Sequence, residues 1–239
     1  MKILVFDIWG DYAHFKKIYA TTSALTYVVP PKTSLYGFVG AILGLEKNGN
    51  QYLKPFQDKQ CLMGIGVPNR LRLQRINMNL RPGIGPWKTG DTPKPTLMEF
   101  VYRPYYRVYF SHKDEGLFQE LWERLENRTP VYTPTLGLAS LISNFKVITV
   151  QQSEPKLVGE SVGIKSLIPM KQFKQFDRTK MLQNGNEVIE QSLYPVEMDL
   201  ERNVTERDDI LLDRTGKVIP AVVSEFYELS NIQSNVVLF

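Results

Sequence analysis

Eight basic residues crowd into positions 70–107: Arg70, Arg72, Arg75, Arg81, Lys88, Lys94, Arg103 and Arg107, against only Asp91 and Glu99. Six of the eight are arginine, whose planar guanidinium grips phosphate oxygens in pairs and stacks on bases. The stretch carries a net +6, whereas residues 1–69 carry +3 and residues 108–239 carry −5, so the whole-chain charge of +4 is concentrated there. A charge run of this kind serves either as a solvated, salt-bridged surface or as a nucleic-acid contact. The shortage of acids inside it favours the second. A weaker basic cluster follows at Lys165, Lys171, Lys174, Arg178 and Lys180, opposed by Asp177, and the acidic stretch Glu197 to Asp209 reads as an exposed loop or a protein-contacting face.

Other chemistry is scarce. The sequence holds no phosphate-binding P-loop, no dinucleotide glycine fingerprint, no HExxH and no GxSxG. The lone Cys61 excludes an internal disulfide and a cysteine-built zinc site, which points to a reducing cytoplasm. Asp208, Asp209 and Asp213 sit in what reads as surface loop, so neither a metal nor any other cofactor is expected. Metal-free RNA cleavage needs a base to activate a 2′-hydroxyl and a cation to steady the phosphorane. Only His14, near Lys16 and Lys17, and His112, beside Lys113, offer that combination, and each reads more simply as a surface residue.

The elements that must position these groups follow from periodicity. Lys2 to Ile8 predicts a buried strand, and Cys61 to Val67 another. After Pro30-Pro31, Thr33 predicts an N-cap to a helix in which Leu35, Val39 and Ile42 recur at helical spacing. That helix also carries Gly37, Gly40, Ala41 and Gly44, a small-residue stripe that permits either tight packing on a sheet or close passage of a sugar-phosphate chain. From Arg70 to Arg81 a period-2 pattern slips by one residue, predicting a bulge at Gln74-Arg75. Residues 82–95 are half Pro and Gly and predict a long excursion. Met98 to Phe110 predicts a returning strand, with Phe100, Tyr102, Tyr106, Val108 and Phe110 on one face and Val101, Arg103, Tyr105, Arg107 and Tyr109 on the other. Basic and aromatic residues alternating in this way suit single-stranded RNA, and equally an amphipathic edge strand.

Asp114 to Asn127 predicts a second helix, with Leu117, Leu121 and Leu125 aligned, and Phe145 to Gln151 a further strand. Strand, helix, strand, strand, helix, strand is the βαββαβ plan of an α+β, ferredoxin-like domain, here residues 1–155. Residues 156–239 are polar and helix-poor and predict a small β-rich C-terminal part. Of 239 residues, 43% are hydrophobic and 23% charged, as in a globular protein, and no apolar run spans a bilayer or reads as a signal peptide.

Phe6, Gly10, Ala13, Phe15, Thr26, Tyr27, Pro30, Pro31, Thr33, Gly37, Gly40, Ala41 and Gly44 together resemble the N-terminal signature of the CRISPR-associated RAMP proteins of Cas family five, and in size and style the subtype I-B members. The resemblance implies an RRM-like domain bearing a long β-hairpin thumb, at about residues 70–107 here, and a reduced C-terminal part. It implies a non-catalytic, cytoplasmic subunit of the Cascade ribonucleoprotein in antiviral defence. Such a subunit binds and caps the 5′ handle of the CRISPR RNA (crRNA), meets the large subunit and the terminal backbone subunit, and lies near target DNA at the protospacer-adjacent motif. No membrane role is implied. Carried onto this sequence, RNA contacts fall to Arg70, Arg72, Arg75, Arg81, Lys94, Arg103, Tyr105 and Arg107 of the thumb. Trp87 beside Lys88 would stack at its tip or plug a mini-core within it. Lys16, Lys17, Tyr27, Lys32 and Thr33 lie at or before a helix start, which favours anions, and Thr135 and Gly137 form a turn offering backbone amides. One branch, subtype I-C, cleaves precursor RNA with Tyr, Lys and His together. Because the order here is His112-Lys113, metal-independent endoribonuclease activity is the second expectation.

Overall fold

The computed structural model describes residues 1–18, 24–80, 92–157 and 159–239. β1 (Lys2–Trp9) is buried along almost its whole length because it lies inside a sheet, with apolar clusters against both of its faces around Ile3 to Phe6. Its alternation divides the interior: Leu4, Phe6 and Ile8 join the core beneath the helices, while Ile3 and Val5 join a separate cluster on the opposite face. The partners are β2 (Cys61–Gly66), β5 (Tyr105–His112) and β6 (Asn144–Gln152), in the order β2-β5-β1-β6 with every neighbouring pair antiparallel. Helix α1 (Lys32–Leu43) follows β1, and α2 (Glu115–Glu126) joins β5 to β6. Between β2 and β5 the chain inserts a hairpin of β3 (Leu73–Leu80) and β4 (Lys94–Tyr102).

Helix α2 begins where the sequence predicts. The Asp114 carboxylate accepts hydrogen bonds from the Gly116 and Leu117 amides, a cap worth about 1 kcal/mol. Helix α1 begins earlier than predicted: Pro31 occupies the N-cap position, its carbonyl takes the Ser34 and Leu35 amides, and Thr33 lies inside the first turn. The fixed φ of proline presets this start without a side-chain cap. The helix ends at Gly44 (φ 73°), whose amide returns to the Gly40 carbonyl. Its small-residue stripe does not pack on the sheet. Leu35, Val39 and Ile42 do that, while Gly37, Gly40 and Ala41 line an open groove of about 560 Å³ with Tyr52, Tyr132, Lys47 and Arg202.

Two predicted strand features change. The β3–β4 register runs unbroken from Leu73↔Val101 to Leu80↔Lys94, so there is no bulge at Gln74-Arg75. The phase slip lies at the strand entry instead, where buried Leu71 donates its amide to the Arg214 carbonyl. The strand predicted from Met98 to Phe110 is two strands. Arg103 adopts φ 47° and gives its amide to Asp11, and Pro104 has no amide to give, so the chain leaves the hairpin sheet and enters the central one. Tyr102 and Tyr106 therefore belong to different sheets.

The C-terminal residues are β-rich. A six-stranded sheet is assembled from Pro155–Leu157, Glu225–Leu229, Ser234–Val236, Val162–Ile164, Ile219–Val223 and Phe173–Phe176. A second, three-stranded sheet pairs Ile168–Pro169 with the long ladder of β7 (Val188–Met198) and β8 (Val204–Asp213). Most of the acidic stretch from Glu197 to Asp209 thus forms this ladder rather than an exposed loop, because the apolar residues that flank it on both strands turn inward. Tyr194, Val196, Ile210 and Leu212 join the same core as Leu4 and Phe6, and Tyr227, Leu229, Val236 and Leu238 cover Ile3, Val5 and Tyr109 on the other face. Among the described residues no helix is long and apolar enough to cross a membrane.

Candidate nucleic-acid interface

A two-rung ladder of Phe15–Lys16 against Thr26–Tyr27 sits beside the start of α1. The Thr26 hydroxyl accepts the Phe15 amide at 2.8 Å and fixes its geometry. Lys16, Ile18, Tyr27, Thr33, Ser34 and Arg207 line a groove there of about 360 Å³. Lys16 is exposed and Thr33 half-buried, so both reach solvent. Tyr27 is buried: its hydroxyl donates to the Leu193 carbonyl at 2.6 Å, and the Lys17 ammonium lies 5.5 Å from its ring centroid. Arg207 is a basic wall of the groove that sequence reasoning missed. It lies within an acidic stretch, and only strand alternation in β8 would have turned it toward α1.

Lys32 does not face this groove as a phosphate contact. Its side chain is 2% exposed, and its ammonium pairs with Glu197 at 2.7 Å. The Tyr36 hydroxyl donates to the other Glu197 oxygen at 2.7 Å. Burial and the adjacent Glu197 charge push the Tyr36 phenol far above its ordinary range, and burial raises the Cys61 thiol to about 12, so neither group ionises at neutral pH. The charge of Lys32 is spent on holding α1 to β7.

The turn at Thr135 to Gly137 docks on the same region. The Leu136 carbonyl accepts the His14 amide at 3.0 Å, one residue before Phe15. Gly137 has φ 102°, and a Cβ there would collide with the His14 carbonyl oxygen, so only glycine permits the approach. Within that turn the Leu136 amide is bonded to the Leu141 carbonyl at 2.8 Å.

The hairpin is tied to this groove through Glu99. Its carboxylate meets Arg75 across the ladder at 3.3 Å, its backbone amide pairs with Ala24, and its carbonyl meets His14 Nδ1 at 2.8 Å. The other arginines divide into two groups. Arg70 pairs with Glu187, and Arg107 clamps Asp7 through Nε at 2.7 Å and Nη2 at 2.9 Å, while Tyr105 donates to the same carboxylate at 2.7 Å. These carboxylates come from far along the chain, which is why a local census of acids missed them. Arg72, Lys94 and Arg103 are exposed and form no ion pair among the described residues, and Arg103 extends over the Tyr102 ring at 5.3 Å. Arg81, Trp87 and Lys88 lie outside the described residues.

His14 is 3% exposed. His112 is engaged at both nitrogens: Nδ1 accepts the Asp114 amide at 3.0 Å, which leaves Nε2 as the N–H donor to the Pro55 carbonyl at 2.7 Å. Among the described residues no three His, Cys, Asp or Glu side chains are grouped to hold a metal.

This frame has recognisable relatives. The family model described as CRISPR-associated protein (Cas_Cas5) matches residues 3–148. The chain belongs to the Cas5 family. The Cas5 match runs from β1 into β6 and so takes in the α1 groove, the hairpin and the turn at Gly137, while Glu197 and Arg207 lie beyond it. A solved CRISPR protein from Archaeoglobus fulgidus has the same fold, with a TM-score of 0.53 at 13% identity over 98% of this chain and 97% of its own. A chain from a CRISPR RNA-guided surveillance complex aligns at a TM-score of 0.49 and 11% identity over 93% of this chain and 90% of its own. A further Cas protein aligns at 0.49 and 14% identity over 93% and 98%. No curated protein matches this Cas5 sequence.

Proposed function

We propose that this Cas5 chain is a non-catalytic subunit of a type I, subtype I-B Cascade effector that binds and caps the 5′ handle of crRNA and contacts the large subunit and the terminal backbone subunit. The order β2-β5-β1-β6, with a hairpin inserted before β5, is read as a ferredoxin-like, RRM-like domain bearing a thumb. The observation that carries the proposal is the junction at Glu99. It fastens a hairpin that carries Lys94, with Arg72 just before β3 and Arg103 just beyond β4, none of them ion-paired among the described residues, to a groove lined by Lys16, Thr33 and Arg207. Cations on two joined walls, without an acidic partner among the described residues, suit a strand of phosphates, and their binding should weaken as salt releases counterions. The engagement of both His112 nitrogens and the burial of His14 favour binding without chemistry. The test is incubation of the purified chain with labelled repeat RNA in EDTA, read by fluorescence anisotropy and on a denaturing gel. Salt-sensitive binding of intact RNA is expected. Cleavage that disappears in His112→Ala or His14→Ala would overturn the proposal and leave the metal-independent ribonuclease in its place.

A further inference from the structure

The outer face of the central sheet is covered over only part of its length. Around Ile3, Val5 and Tyr109 it is sealed by Tyr227, Leu229, Val236 and Leu238. Beyond them the same face continues through Asp7 and Trp9 of β1, Arg107 and Tyr105 directly opposite on β5, and Lys146 opposite Asp7 on β6. The apolar cluster formed with the C-terminal strands stops short of these residues.

Trp9 and Tyr105 present a ready stack, their ring centroids 5.7 Å apart and their planes 18° from parallel. Both rings are partly exposed, which is costly for apolar surface unless something covers it. The charge around them is arranged to receive an anion. Asp7 is 1% exposed and already held by Arg107 and Tyr105, so it offers no free negative charge. Lys146 is exposed and forms no ion pair among the described residues. Arg103, two residues before Tyr105, is exposed as well, so that with Arg107 matched to Asp7 the two remaining cations, Lys146 and Arg103, outnumber the exposed Asp11 beside the strip. Aromatic rings on adjacent strands accept any base on their π-face, and a lysine one strand away is placed for the phosphate that follows.

We propose that Trp9 and Tyr105, with Lys146, stack one or two unpaired bases of single-stranded RNA on the uncovered end of the sheet. This is a contact surface separate from the α1 groove and the hairpin ladder. It rests on the reading that the chain binds RNA and names a second place where it does so.

The test uses the full chain with an eight-nucleotide single-stranded RNA carrying 5-iodouridine and, in parallel, unmodified repeat RNA. Ultraviolet crosslinking followed by peptide mass spectrometry should recover adducts at Trp9 or Tyr105. Trp9→Leu and Lys146→Glu should each weaken binding about tenfold by anisotropy, and Trp9→Phe should restore it to within about twofold. Lys146 is an exposed strand residue, so Lys146→Glu remains decisive if Trp9→Leu fails to fold in a melting check. Wild-type affinity in Lys146→Glu, together with adducts confined to other residues, overturns the platform while leaving RNA binding intact. Absence of binding to either RNA by the wild-type chain overturns RNA binding and the platform with it.

Discussion

Lys32 and Glu197 meet at 2.7 Å beneath the first turn of α1, the lysine side chain 2% exposed and the glutamate 20%. With Tyr36 on the second carboxylate oxygen, the pair fastens the helix that walls the groove of Lys16, Thr33 and Arg207 to β7, a strand reached 165 residues later. A pair this enclosed gains little over an apolar replacement, yet losing one member leaves a charge without its partner.

Lys32→Met should therefore lower the unfolding free energy by about 3 kcal/mol, read as a smaller urea midpoint, and the double variant Lys32→Met/Glu197→Leu should recover much of that loss. Under conditions where the single variant stays folded, its RNA affinity should match wild type, because the ammonium never reaches the groove. A selective loss of RNA affinity in a stably folded Lys32→Met would return this lysine to the interface.

Arginines that look alike in sequence should separate by experiment. Arg72→Ala and Arg103→Ala remove cations with no acidic partner among the described residues, so each should weaken RNA binding and reduce the slope of log affinity against log salt by about 1. Arg107→Ala strands Asp7 at 1% exposure and should instead cost about 3 kcal/mol of stability. Chemical denaturation beside a salt titration distinguishes the two behaviours. A lowered salt slope in Arg107→Ala at unchanged stability would reverse the assignment.

Elements whose determinants are local were legible before any coordinates. An apolar run placed β1, and the spacing of Leu117, Leu121 and Leu125 placed α2. Features that depend on distant partners were hidden. Arg70 and Arg107 looked free because Glu187 and Asp7 lie more than ninety positions away. Alternation ran smoothly through Arg103-Pro104, so the change of sheet left no mark beyond the proline itself. Arg207 was masked by its acidic neighbours, and the small-residue stripe read first as packing on a sheet and second as a passage for a sugar-phosphate chain, whereas the position of Tyr52 and Tyr132 beside it makes a groove.

Glycines on the two sides of α1 should respond oppositely to alanine. Gly37 is helical, exposed and has nothing within 4 Å of a built Cβ, so Gly37→Ala should stabilise by about 1 kcal/mol through propensity alone. Gly44 has φ 73°, and its Cβ would stand 2.7 Å from Val131, so Gly44→Ala should destabilise by about 1–3 kcal/mol. Thermal melts of the two variants check the pair. A destabilised Gly37→Ala would mean that the open groove beside it is filled in solution.

Asp213 gives the acid response a definite sign. Burial alone would raise its carboxyl, but hydrogen bonds from the Thr215 hydroxyl, the Asn186 amide and the Thr215 and Lys217 backbone amides outweigh it and hold the group below the usual carboxylate range. A depressed folded-state value means that the anion stabilises the fold in full above the unfolded value, about pH 4, and that this contribution is lost as pH falls through the lower folded value. The turn it secures carries Gly216 (φ 83°) against the Val67 and Pro68 carbonyls at the foot of the hairpin, so the loss should loosen the hairpin base as well. Asp213→Asn should therefore melt below wild type at pH 7, and the gap should narrow as both are titrated from pH 4 toward pH 2.5. A gap of constant size across that range would show that the side chain acts through shape and not through its charge.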